Sequence, residues 1–115
     1  FSSEAGYKMM REFIEELGDS LPQAFFVAND ALATGALRAL QEAKIPVPER
    51  ISLISFNDTS LAKYIFPKLS TVTVFTEEMG KQAIQILEQN FQKDGSSVPY
   101  MVKLATRLTI RESNI

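Results

Sequence analysis

The chain has 115 residues, 45% of them hydrophobic and 23% charged, and its 12 basic and 14 acidic side chains leave a net charge of −2. That length allows one domain with one modest core, and the charge balance argues against a surface that grips DNA, which needs clustered Lys and Arg. Neither Cys nor His occurs, which excludes disulfides, thiol chemistry, Cys/His zinc sites and a His-dependent hydrolase triad.

In chain order, Phe1-Ser2-Ser3-Glu4 carries neither an initiator Met nor a signal-peptide pattern and reads as a cut inside a longer protein. Ser2 or Ser3 can cap a helix over about 4–17, because a serine oxygen accepts from an early backbone N–H. Met9, Met10, Phe13, Ile14 and Leu17 recur at helical spacing, and Gly18 follows as a stop. After Pro22, Ala24-Phe25-Phe26-Val27-Ala28 is a short, continuously apolar run of the kind a buried parallel strand shows. Asn29-Asp30 ends it and can cap a helix over about 31–43, whose apolar side is Leu32, Ala36, Leu37, Leu40 and Ala43. Only one cap is needed; Asp30 is expected to supply it and Asn29 to stay available.

Two prolines in Ile45-Pro46-Val47-Pro48 end that helix. A second strand is expected over 51–56, a turn at Asn57-Asp58-Thr59-Ser60, and a short helical turn over 61–64. The β-branched stretch 70–75 reads as a third strand. Glu77 and Glu78 open a helix to about Lys93, an acidic start that the helix dipole favours, with Ala83, Ile84, Leu87 and Phe91 as its stripe. Asp94-Gly95-Ser96-Ser97 reads as a loop, and 101–110 as one or two terminal strands.

Helices alternating with strands imply an α/β fold, a parallel sheet flanked by helices. The polar corners Asn29-Asp30 and Asn57-Asp58 then stand at the carboxyl ends of successive strands, the edge where open α/β sheets bind ligands. Asn offers both donors and acceptors, which suits a vicinal diol, so Asn29 and Asn57 are the candidate contacts. Asp30 and Asp58 make acid/base chemistry conceivable. However, there is no nucleophile motif, metal cluster or phosphate-binding Gly loop, so neither an enzyme nor a cofactor is expected. No run is long and apolar enough to span a bilayer.

Six ordered stretches carry a family likeness. They are Ala-Asn-Asp-Ala-Leu-Ala-Thr-Gly-Ala-Leu (28–37), Ile-Pro-Val-Pro (45–48), Ile-Ser-Leu-Ile-Ser-Phe-Asn-Asp (51–58), Pro-Lys-Leu-Ser-Thr-Val (67–72), Glu-Met-Gly (78–80) and Leu-Thr-Ile-Arg-Glu-Ser (108–113). Together they cover nearly the whole chain, which resembles the LacI/GalR family of bacterial transcriptional regulators.

The resemblance implies a periplasmic-binding-protein-like (type I) fold, with residues 1–115 as the C-terminal part of the effector-binding and dimerisation domain. The helix over 77–93 would pack on an N-terminal subdomain outside this chain. A small effector bound between the subdomains would change operator affinity. Operator DNA would be reached through an N-terminal helix-turn-helix rather than through these residues. The setting would be cytoplasmic, with no membrane partner.

By the same resemblance, Phe1 aligns with an aromatic that lies against the effector, where a sugar C–H face can pack on the ring. Many members carry Asp where this chain has Asn57; the neutral amide favours a neutral sugar over a cationic or purine-type effector. Val74 stands where some members place a polar sugar contact and can offer only packing; Thr73 and Phe75 are weaker candidates. Tyr7, Thr34, Arg38, Tyr64 and Ile65 correspond to homodimer contacts, and Arg111 to a structural ion pair. An exported sugar-binding protein of a transporter shares the core fold and is the alternative.

Overall fold

The computed structural model describes residues 1–91, 98–99 and 101–115. The expected 94–97 loop, and the end of the expected helix at Lys93, lie outside the described residues. Helix α1 (Ser3–Leu17) is capped by Ser2, whose side chain accepts from the Ala5 N–H at 3.1 Å. Gly18 ends it in the left-handed region, φ 49°, where a residue without Cβ is unstrained. Strands β1 (Ala24–Phe26) and β2 (Ser52–Asn57) flank α2 (Asp30–Glu42), followed by α3 (Ser60–Tyr64), β3 (Ser70–Thr73), α4 (Thr76–Phe91) and β4 (Arg107–Thr109).

The sheet order is β1-β2-β3-β4. The first three strands are parallel, with Phe25 opposite Leu53 and Ser55 opposite Thr71. Strand β4 is antiparallel to β3, whereas unbroken helix–strand alternation would have made it parallel. The connecting stretch Val74–Thr106 forms a compact unit of its own. Only one terminal strand forms among the described residues, and β3 stops at Thr73 rather than at Phe75.

Phe1–Thr73 and Arg107–Ile115 make up the other unit, which holds the core. Alternation along β2 sends Leu53 and Ser55 to one face, in line with Ile51 just before the strand, and all three are fully buried. That face packs against α2 through Leu37 and Leu40, in a cluster that also holds Leu69, Ala33 and Ala39. Helix α1 crosses α2 at two glycines. A Cβ on Gly35 would lie 1.8 Å from the Ser3 carbonyl oxygen, and one on Gly6 would lie 2.1 Å from that of Leu32. Small residues at the crossing are therefore what let the two helices meet backbone to backbone.

On the opposite face of the sheet Phe26 is 67% exposed and meets Phe56 edge-on at 6.4 Å between centroids. The chain end is stitched to the middle of the sheet. Ser113, fully buried, accepts from the Ser70 N–H at 2.8 Å and donates to the Leu53 carbonyl at 2.6 Å. In the second unit, α4 has no buried residue, and Ile84, Leu87 and Phe91 of its apolar stripe are exposed. Among the described residues no helix is long and apolar enough to cross a membrane.

Candidate functional site

Both asparagine corners form at the carboxyl edge of the parallel strands. Asn29 follows β1 in extended conformation, and its Oδ1 accepts from the Leu32 N–H at 2.8 Å. It is thus Asn29, not Asp30, that caps α2, which corrects the expected division of labour. The cap uses only Oδ1 and leaves the Asn29 amide nitrogen without a hydrogen bond among the described residues.

Asp30 is instead 1% exposed and anchors a network. Its Oδ1 accepts from Ser55 Oγ and, at 3.2 Å, from Thr71 Oγ1. The other oxygen, Oδ2, accepts from the Thr59 N–H at 2.6 Å and from Thr59 Oγ1 at 2.8 Å. Ser55 and Thr71 are neighbours across β2 and β3, so the register places both hydroxyls before one carboxylate. Sequence reasoning missed this role. The available signal was a serine alternating with Ile51 and Leu53 on a buried face, where a hydroxyl must find a partner.

Asn57 is the last residue of β2 and is exposed. Its φ is 102° and that of Asp58 is 62°, two consecutive non-glycine residues in a region that L side chains rarely adopt. Its side chain makes no hydrogen bond among the described residues. Asp58 is tied down on both oxygens, by Arg111 at 2.6 Å and by Thr73 Oγ1 at 2.9 Å. Burial would raise the Asp58 pKa, but the hydrogen bonds from Arg111 and Thr73 outweigh it and hold the carboxyl below the ordinary carboxylate range. The structural ion pair expected of Arg111 is thereby present. Thr73, a weaker effector candidate, is engaged with Asp58 and Thr109, while Val74 and Phe75 fall in the second unit. Phe1 is 89% exposed ahead of α1, and no hydrogen bond or ring contact ties it to either asparagine.

Four of the five expected dimer residues, Tyr7, Thr34, Arg38 and Ile65, line one groove of about 470 Å³ together with Gly35. Tyr64, 88% exposed, adjoins Ile65 in sequence but does not line the groove. On this face Glu42 accepts from the Tyr7 hydroxyl and from Arg38, each at 2.7 Å, and these bonds, Tyr7 first, lower its pKa.

Residues 1–114 match the periplasmic binding protein-like domain family. The HTH-type transcriptional regulator GalR of Lacticaseibacillus casei is 47% identical over 115 residues, which are 100% of this chain and 34% of that protein. A LacI family transcriptional regulator from Enterococcus faecium, solved with bound ribose, is 31% identical with a TM-score of 0.84, over 99% of this chain and 41% of its own. The lac repressor dimer bound to operator and the anti-inducer ONPF is 28% identical with a TM-score of 0.90, over 99% of this chain and 38% of its own. The chain spans about a third of the length of the curated relatives it matches.

Proposed function

The chain belongs to the LacI/GalR family of transcriptional regulators as a periplasmic-binding-protein-like domain, and from that premise we propose that it is the sugar-sensing part of a cytoplasmic DNA-binding repressor. It forms one wall of an effector cleft whose other wall, like the operator-binding headpiece, lies outside these residues. Asn29 and Asn57 hydrogen-bond sugar hydroxyls, an aromatic at Phe1 covers the ring, and Tyr7, Thr34, Arg38, Tyr64 and Ile65 contact a second copy. The protein is not an enzyme in this reading. The regulators among its relatives support a repressor over an exported binding protein.

One observation carries the choice of a neutral sugar. The carboxylates at this edge are committed, Asp30 to Ser55, Thr59 and Thr71 and Asp58 to Arg111 and Thr73. What they leave for a ligand is the amide of Asn57 and the amide nitrogen of Asn29, groups that suit hydroxyls rather than cations.

The test is titration of galactose, glucose, ribose, sucrose and cellobiose against the native protein on operator DNA. Each buried amide-to-hydroxyl bond contributes about 0.5–1.5 kcal/mol net, and more is lost when a partner stays unpaired. Asn57→Ala should therefore raise the effective sugar concentration about tenfold or more, with sugar-free operator binding unchanged. Asn29→Ser retains a capping oxygen, so any weaker sugar response reports the lost amide. If both variants respond at wild-type sugar concentrations, the site lies elsewhere.

A further inference from the structure

The corner at Asn57-Asp58 cannot hold itself. Two successive positive-φ residues with side chains persist only where their surroundings over-determine them. The surroundings do so on the residues beside Asn57. Asp58 is gripped by Arg111, whose second guanidinium nitrogen donates to the Leu69 carbonyl at 2.8 Å and whose backbone N–H donates to Ser70 Oγ at 2.7 Å. Thr59 is gripped through both its N–H and its hydroxyl by Asp30. Asp30 is also the first residue of α2, next to Asn29 in the chain. One carboxylate therefore ties the start of α2 to β2, to β3 and to the turn after β2. Asn57, immediately ahead of these clamps, is left exposed with a free amide.

We propose that Asp30 and Arg111 are positioning residues for the effector, holding Asn29 and Asn57 at a fixed separation at the strand edge without touching the sugar themselves. This rests on the reading of Asn57 as a sugar contact. Its particular claim is that affinity depends on clamps behind the contact, because a preorganised pair of amides loses less freedom on binding than a mobile one.

Amide hydrogen exchange and sugar affinity are to be measured on the native protein and its Arg111→Gln, Thr59→Val and Asn57→Ala variants, using whichever of galactose, glucose, ribose, sucrose or cellobiose shifts operator binding. Arg111→Gln and Thr59→Val should speed exchange over 57–59 and weaken sugar affinity fivefold or more, with exchange in α1 unchanged. Asp30→Asn should do the same; if this buried variant fails to fold, Arg111→Gln and Thr59→Val carry the test. Adding Asp58→Gly to Arg111→Gln should bring affinity back to within about threefold, since glycine adopts φ near 60° unaided. A bracing residue that did not act through the corner would show no such rescue. If exchange over 57–59 stays at wild type, or if it rises while affinity holds, the positioning role is overturned. Wild-type affinity in Asn57→Ala would instead mean that the sugar contact itself is misassigned, and the clamps would then have nothing to position.

Discussion

Gly35→Ala probes the close crossing of α1 and α2. In an open helix this change stabilises by up to about 1 kcal/mol, since alanine is the better helix former. Here the added Cβ would sit 1.8 Å from the Ser3 carbonyl oxygen and 2.6 Å from the Tyr7 backbone nitrogen. Neither atom belongs to a side chain that can turn aside. Restoring an ordinary contact of about 3.5 Å requires α1 and α2 to part by more than an ångström. That movement would loosen Met10, 3% exposed on α1, and Leu37 and Ala36, 0% and 4% exposed on α2.

Overpacking of this kind costs about 1–3 kcal/mol, and a backbone obstacle puts it at the upper end. After the gain in propensity, a net loss of about 2 kcal/mol is expected. With a urea m-value of roughly 1–3 kcal/mol/M, the unfolding midpoint falls by about 1 M. Gly6→Ala meets the Leu32 backbone in the same crossing. The double variant should lose less than the sum of the singles, because the first substitution already parts the helices. Gly35 also lines the groove shared by Tyr7, Thr34, Arg38 and Ile65, so dissociation of the proposed dimer, measured by sedimentation, should become easier. A Gly35→Ala protein that unfolds at or above the wild-type midpoint would refute the close crossing.

Lys44 sits just beyond α2 at φ 57°. Lys44→Gly should stabilise by roughly 0.5–1 kcal/mol in urea unfolding, as glycine is the preferred left-handed residue after a helix. Ser113→Ala leaves the buried Ser70 N–H without its acceptor and should cost about 1–3 kcal/mol by the same assay. Asp58 has a folded pKa below its unfolded value. The stability it contributes is therefore present above the ordinary carboxylate pKa near 4 and lost as pH falls through the folded pKa, where the unfolded chain binds the proton first. Asp58→Asn should be less stable than wild type at pH 7, by roughly 1–3 kcal/mol, and this gap should close on acidification below about pH 4; a gap that stays constant with pH would exclude the ion pair as its source.

Much of the fold was legible because its signals are local. Ala24-Phe25-Phe26 and the run through Leu53 announced strands, asparagines announced where those end, and prolines where the helix between them ends. The orientation of β4 was not legible, since the short run Arg107–Thr109 alternates no differently in a parallel or an antiparallel strand. Nor could the meeting of Gly6 with Leu32, or of Gly35 with Ser3, be read from residues far apart in sequence. Such contacts exist only once both helices lie on the same sheet face.

At the strand edge the residue types were legible and their division of labour was not. Asn29 and Asp30 are equally good caps, so local chemistry alone leaves the choice open. The choice is made by register: Ser55 opposite Thr71 places two buried hydroxyls where only the side chain of Asp30 reaches them. A buried hydroxyl without a partner costs more than a half-buried asparagine cap yields, so Asp30 turns inward and Asn29 takes the helix end. The same logic acts at the second corner, where Asp58 turns to Arg111 and Thr73. Two aspartates at a ligand edge read, in sequence, as an invitation to a cation. With both turned to partners inside the fold, the side chains left uncommitted at this edge are the neutral ones.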